Sequence, residues 1–211
     1  MKVHVLGSGD LCPSLTPALR ERGENYLFDA GEGTQLRMAE AEISRADLEA
    51  IFISHMHGDH VLGLPGLLIR RSRESGKTPL ELFGPRSLKE FVDDVDRTVG
   101  INCQFDLRFT PLEKEHLFTL GNVWVGTVAG DHRVPSNGFV ICSREKKRKF
   151  HPEKARELEI PEGPIWGQLQ DGQTVTLDHG RTIEPEQVSD PPEPPPKVVY
   201  LPDTRPLDNY P

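Results

Sequence analysis

The 211 residues include 36% hydrophobic ones, set in periodic blocks, which allows one domain with a sizeable core and leaves little room for two. No apolar run approaches the roughly 20 residues of a membrane span, so a membrane partner is not expected and a cytoplasmic address is. A formal net charge of -8 excludes a protein that coats nucleic acid indiscriminately, because that mode rests on neutralising many phosphates.

Lys2 to Leu6 alternates and stops at Gly7-Ser8-Gly9, which predicts a strand ending in a tight turn. Tyr26-Leu27-Phe28 reads as a second strand, followed by an abrupt bend at Asp29-Ala30-Gly31-Glu32-Gly33 and a helix over Thr34 to Ala41. Ala50 to Ser54 is an apolar run of strand length. Leu62 to Arg73 reads as a helix, and Leu80 to Phe83 as a strand closed by Gly84-Pro85. Ser87 with Glu90 three residues on predicts a capping box, after which Leu88, Phe91, Val92, Val95 and Val99 share one helical face. Strands are expected at Phe105 to Phe109, Val123 to Ala129, Phe139 to Cys142 and Val198 to Leu201. Between the last two, Arg144 to about Pro196 changes character. It starts with seven basic residues against two acidic ones by Arg156, and ends in Asp190-Pro191-Pro192-Glu193-Pro194-Pro195-Pro196, which predicts an extended insertion rather than core. Alternating strands and helices give an α/β class. Cys12, Cys103 and Cys142 are odd in number and far apart, so they are expected to be reduced.

The chemistry concentrates after the strand that ends at Ser54, in His55-Met56-His57-Gly58-Asp59-His60. In extended backbone, residues i and i+2 point the same way, so His55 and His57 can grip one ion. Asp59 and His60 are adjacent and are expected to diverge, so one loop serves two ions, with Gly58 permitting the sharp path between its halves. Imidazole and carboxylate together suit zinc. His132 and Asp203 each follow a strand, where sites collect in open α/β sheets. His4, His116, His151 and His179 lie elsewhere and are read as structural or solvent-exposed.

These stretches, together with Leu6-Gly7-Ser8-Gly9, Phe28 to Gln35, Ser54 to Leu67, Leu82 to Pro85, His132 to Gly138 and Asp203-Thr204-Arg205-Pro206, resemble the metallo-β-lactamase superfamily, and within it the ribonuclease Z family. The resemblance implies the metallo-β-lactamase fold, an αββα sandwich, and a zinc-dependent endoribonuclease that removes the 3′ trailer from precursor tRNA and leaves a 3′-hydroxyl. It implies one zinc on His55, His57, His132 and Asp203, and a second on Asp59, His60 and a bridging Asp203, with Asp59 as proton acceptor. Gly163 to Gly172 resembles the family's tRNA-binding arm, so Lys146, Lys147, Arg148, Lys149, Gly163 and Pro164 are expected to meet tRNA. A homodimer is implied as well. The family pattern continues past Pro211, with a further zinc-binding histidine and a Glu and His that help protonate the leaving oxygen. A single domain without its C-terminal portion is therefore expected, its second zinc site short of a ligand. Pro202 stands where the family has a small residue. Two alternatives remain beside this reading: another phosphodiesterase of the superfamily, and an inactive RNA-binding relative.

Overall fold

Side chains that alternate along paired strands decide which face of a sheet is covered, and here both faces of the main sheet are. The computed structural model describes residues 2–6, 17–21 (backbone), 23–74, 78–112, 116–121, 123–143 and 147–206. The turn expected at Gly7-Ser8-Gly9, Cys12, Arg144 and Lys146 lie outside them. In chain order, the first part comprises β1 (Lys2–Val5), β2 (Pro17–Glu21), β3 (Glu24–Phe28), α1 (Thr34–Glu40), β4 (Leu48–Phe52), α2 (Gly58–Val61), α3 (Leu64–Arg73), β5 (Leu80–Gly84), α4 (Arg86–Val99) and β6 (Leu107–Pro111). Its strands form one sheet in the order β1-β2-β3-β4-β5-β6, antiparallel up to β3 and parallel from β3 onward.

In register, Tyr26 meets Ala50 and Phe28 meets Phe52, while Leu27 meets Ile51. The period of two sends Leu27, Ile51, Ile53 and Leu82 to one face, where Met38, Leu64, Leu67, Leu68, Leu88 and Val92 of the helices cover them. On α3 the buried residues are Leu64, Leu67, Leu68 and Arg71, a 3-4 spacing that makes one stripe. Tyr26, Phe28, Ala50, Phe52 and Phe83 go to the other face. There a second sheet packs, built from β7 (Leu117–Leu120), β8 (Val123–Gly130) and β9 (Ser136–Ser143) with a late strand, in the order late strand-β9-β8-β7. Phe52 is stacked between Phe28 at 5.0 Å and Phe83 at 4.6 Å, and Val123, Val125, Phe139 and Ile141 close the layer from the other sheet. The outward face of that sheet leaves Leu117 and Trp124 exposed.

The chain divides into two compact units, Met1–Ser143 with Lys197–Pro211, and Arg144–Pro196. The second holds β10 (Lys149–Phe150), α5 (Pro152–Glu157), α6 (Pro164–Gln170), β11 (Val175–Thr176), β12 (Thr182–Ile183), a 3-10 turn at Pro185–Gln187 and β13 (Ser189–Asp190). β10 pairs with β13 and β11 with β12. Its own core is Ala155, Ile160, Leu169, Leu177, Ile183 and Val188. The segment is therefore not the extended insertion its proline content suggests, because six apolar residues scattered between turns meet in space. The chain then returns as β14 (Lys197–Tyr200), the late strand of the second sheet, antiparallel to β9 with Cys142 opposite Lys197.

Two details of α4 depart from expectation. The helix begins at Arg86 with Pro85 as N-cap and no side-chain cap, so no box forms at Ser87 and Glu90. Proline is pre-shaped for a helix start, and it draws the boundary upstream of the serine. Val99 lies at the last turn and is exposed, so the apolar stripe ends at Val95.

Candidate metal centre

β4 delivers Ser54 and His55 to the end of the parallel sheet, and Ile53 N–H still donates to Phe83 O of β5 at 2.7 Å. The backbone stays extended through His57 (φ -68°, ψ 148°), then turns into α2. His55 and His57 consequently point the same way, with His55 Nε2 2.9 Å from His57 Nδ1. His132, in the β8–β9 turn, brings Nε2 to 3.3 Å from the same His57 nitrogen. Asp59 and His60 do not diverge: on the first turn of α2, Asp59 Oδ2 lies 3.5 Å from His60 Nε2. Gly58 is absent from the residues with positive φ, and a Cβ there would meet only the Leu62 side chain, so the bend comes from the strand-to-helix switch at His57 rather than from glycine freedom.

Asp203 follows β14, and its loop is held beside His132 because Arg205 N–H donates to Asp131 O (2.8 Å) and Asp131 N–H donates to Thr204 Oγ1 (3.0 Å). Pro202 does not prevent this path. Asp203 Oδ2 lies 3.9 Å from His60 Nε2. The donor atoms therefore form two groups, His55, His57, His132 and Asp203, and Asp59, His60 and Asp203, each within 4.8 Å and with Asp203 common to both. His55 and His60 are buried, whereas Asp59 and Asp203 face solvent with side chains 36% and 57% exposed. A ligand approaches from the carboxylate side.

Behind the donors sits Asp29, wholly buried, with a left-handed backbone (φ 61°) and its N–H donating to Phe52 O at 2.7 Å. Its carboxylate accepts from Ser54 N–H (2.7 Å), Ser54 Oγ–H (2.9 Å), His60 Nδ1–H (2.7 Å) and Tyr200 O–H (2.6 Å). With its proton given to Asp29, Ser54 Oγ accepts from His55 Nδ1–H at 2.9 Å. This network assigns the tautomers: both imidazoles keep their Nε2 lone pairs for the shared space. His60 Nε2 is enclosed and has no hydrogen-bond partner, an arrangement that costs about 1–3 kcal/mol unless an ion satisfies it. Borderline nitrogen and carboxylate oxygen donors around an orphaned buried nitrogen fit a divalent transition metal.

Burial, then the neighbouring His60, lowers the His55 pKa to about 4, so its ring is neutral near pH 7 and ready to ligate. Burial pulls His60 down as well, but the hydrogen bond and charge of Asp29, with Asp59 and Asp203, outweigh it and hold His60 above its ordinary value. Burial and the charge of Asp29 keep the Tyr200 phenol protonated as a donor. Asp29, Ser54 and Tyr200 have no expected role from the sequence. Asp29 lies in the Phe-Asp-Ala-Gly-Glu-Gly stretch, where its placement directly after a buried strand is the one available signal. Arg133 Nε lies 3.4 Å from His57 Nε2, on the outer side of that ring.

The four remaining histidines are elsewhere. His4 is in β1, and His116 stacks on Phe118. His151 faces Asp190 at 2.9 Å, and His179 is in a turn. In the second unit, Lys147 pairs with Asp171 at 2.8 Å, and both are exposed. Lys149 is exposed, as are Gly163 and Pro164 at the start of α6. Arg148 turns inward, donating to Ser189 Oγ (2.8 Å) and Glu186 (2.6 Å).

Comparison with known proteins adds sequence evidence to this geometry. The family model described as Anti-Pycsar protein Apyc1 matches residues 17–148. A ribonuclease Z of Pediococcus pentosaceus is 38% identical over 99% of this chain and 71% of its own length. Among solved structures, the short form of human tRNase Z superposes with a TM-score of 0.61 at 30% identity, covering 68% of this chain and 66% of that one. The metallo-β-lactamase fold protein YhfI of Bacillus subtilis gives a TM-score of 0.52 at 17% identity over 66% of this chain and 57% of its own, a likeness of fold alone. Among the described residues, no helix is long and apolar enough to cross a membrane.

Proposed function

The chain belongs to the ribonuclease Z family, and through residues 17–148 to the family of the Apyc1 description; on that premise we propose that it is a metal-dependent endoribonuclease that removes the 3′ trailer of precursor tRNA. The observation that carries the reading is the sharing of Asp203 by two donor groups. His55, His57, His132 and Asp203 would hold one zinc, and Asp59, His60 and Asp203 the second, which has one donor fewer. Two such cations, when bound, polarise the phosphodiester and make hydroxide available at neutral pH. The chain's own part is to orient and to move protons. Asp29 and Ser54 accept the Nδ1 protons of His60 and His55, which fixes both rings with Nε2 aimed at the shared space. The Asp59 carboxylate takes the proton of the attacking water. The water oxygen joins phosphorus, the bond to the tRNA O3′ breaks, O3′ takes up a proton from solvent to leave a 3′-hydroxyl on the tRNA, and the phosphate stays on the trailer.

The second unit supports tRNA over a small diester. The Apyc1 match ends at residue 148 and leaves almost all of that unit out, whereas ribonuclease Z similarity runs through it. Lys147 and Lys149, their sequence neighbour Lys146, and the exposed Gly163-Pro164 would meet tRNA, the lysines at its phosphates, with Arg148 bracing the unit from within. We place the chain in the cytoplasm, consistent with free Cys103 and Cys142, and as a homodimer, for which exposed Leu36 of α1 and Leu62 before α3 supply apolar surface. Light scattering at twice 23.6 kDa tests the dimer. The functional test is zinc analysis of the purified chain together with cleavage of a precursor tRNA. Close to two zinc per chain and a 3′-hydroxyl product are expected. Zinc near zero, or no cleavage with zinc bound, overturns the reading.

A further inference from the structure

Arg133 follows His132 in the turn between β8 and β9 and is exposed. Among the described residues its polar partner is a ring nitrogen rather than a carboxylate: Arg133 Nε–H donates to His57 Nε2 at 3.4 Å. The nearby Asp131 carboxylate is taken by Arg205, at 3.7 Å. A guanidinium is always charged, so Arg133 stands beside the centre as a cation that no described carboxylate neutralises.

The contact with Arg133 fixes the His57 proton. Because His57 Nε2 accepts, the ring carries its proton on Nδ1 and donates it to His55 Nε2 at 2.9 Å, while His55 Nδ1–H donates to Ser54 Oγ at 2.9 Å. Donation thus runs one way along the row, from Arg133 through both rings and Ser54 to Asp29. His57 Nδ1 is the ring atom turned to the donor group, since His132 Nε2 also lies 3.3 Å from it. To hold a cation, His55 Nε2 and His57 Nδ1 must both present lone pairs. The His57 proton then has only Nε2 to occupy, with no change in the charge of the ring, and there it faces Arg133 Nε–H. Two donors cannot share that contact. Arg133 must leave His57, and both groups then need an acceptor.

On the solvent side of the centre, the acceptor that RNA brings is phosphate, which a guanidinium fork suits in shape as well as charge. Arg133 sits across the His57 ring from the donor atoms, a ring's width from the phosphodiester being cut. Resting on the reading of the chain as a metal-dependent ribonuclease, we propose that Arg133 is a substrate-holding residue, set free from His57 when the histidines take up their cation and then paired with the RNA phosphate next to the scissile one. Loading of the centre and readiness for substrate are coupled through one ring.

NMR of the histidine and arginine side chains of the full chain, first with chelator and then with zinc, tests the release. The His57 proton is expected to move from Nδ1 to Nε2, and the Arg133 Nε–H signal to shift with it. Adding the 5′-phosphorylated trailer and the 3′-hydroxyl product strand of a short oligoribonucleotide should shift the Arg133 signal again. In steady-state cleavage of that oligoribonucleotide, Arg133→Ala should raise KM about tenfold, the scale of one charge-assisted hydrogen bond, with kcat within about twofold and zinc content equal to the parent's. Arg133→Lys should recover part of the loss. A neutral methylphosphonate at one of the two linkages flanking the cleavage site should abolish the difference between Arg133→Ala and parent. Zinc bound with the His57 proton still on Nδ1 overturns the proposal, as does an R133A variant with the parent's KM, or one that loses zinc. A penalty that persists with either flanking linkage neutral overturns it too. Zinc content near zero sinks the proposal together with the functional reading. Zinc bound without RNA cleavage sinks the functional reading alone, because the ring proton and the strand titration decide on Arg133 without turnover.

Discussion

Asp29 touches no expected substrate, yet four donors converge on it, and two of them aim metal-facing imidazoles. Asp29→Asn isolates that role, because asparagine has the same shape and also tolerates the left-handed backbone. One acceptor oxygen becomes a donor facing other donors, at a wholly buried position. The variant should lose about 3–4 kcal/mol of stability, as when one partner of a buried pair is removed, and bind zinc about 10–100-fold more weakly. Denaturant melts and chelator competition measure the two losses. Stability and zinc affinity both within twofold of the parent would show that Asp29 only fills space.

Protonation gives a second prediction at this scale. His55 has a folded pKa of about 4, below its unfolded value near 6.5, so its contribution to stability is fully present above pH 6.5 and is lost as pH falls toward 4. The shift corresponds to about 3 kcal/mol for the zinc-free chain. His60 is shifted the other way: its contribution is present below pH 6.5 and is lost as pH rises through its raised folded pKa. Melting temperature in the presence of chelator should therefore peak between these windows. His55→Gln should flatten the acid limb, and an acid limb as steep as the parent's would count against the assignment.

At the scale of elements, the centre depends on how closely the β3–α1 loop approaches the start of α3. Ala30 N–H donates to His60 O, and Gly63 N–H donates to Ala30 O, both at 2.8 Å. A Cβ on Gly63 would lie 1.9 Å from Gly31 O and 2.8 Å from Gly31 C, which is backbone and cannot swing aside. Gly63→Ala should cost at least about 3 kcal/mol, the upper part of the range for overpacking, and push the Asp29 loop off His60. Denaturant unfolding reads the cost, and a loss under 1 kcal/mol would mean the loop gives way freely. The same elements show what periodicity can carry. The i, i+2 pairing of His55 and His57 is legible because the backbone there is extended. Asp59 and His60 are misread because the chain has by then entered α2, where neighbours project differently, and nothing in two adjacent polar residues announces a one-turn helix. At α4 the local capping signal of Ser87 and Glu90 yields to Pro85. Asp29 and Tyr200 meet across 171 residues, a distance no local pattern spans.

For the whole molecule, the informative contrast is between the two units. The proline run and polar turns of Arg144–Pro196 conceal the spacing of Ala155, Ile160, Leu169, Leu177, Ile183 and Val188, so a folded body reads as linker until those residues are seen together. Because Cys142 pairs with Lys197, replacing Arg144–Pro196 by an Asn-Gly turn joins two strands that are already neighbours and keeps the second sheet intact. The shortened chain should hydrolyse a small diester such as bis(p-nitrophenyl) phosphate within about twofold of the parent, since the donors of the centre all lie in the first unit. Cleavage of precursor tRNA should fall at least about 100-fold in kcat/KM, mainly through KM, with a shallower salt dependence as phosphate contacts are lost. Point variants sharpen the comparison. Lys149→Ala should lower the salt slope by about one with little change in stability, because its ammonium is exposed. Arg148→Ala should instead loosen the unit, because its guanidinium is tied to Ser189 and Glu186. Precursor tRNA cleaved equally well without Arg144–Pro196 would remove the second unit from substrate recognition and leave a general phosphodiesterase as the better account of the centre.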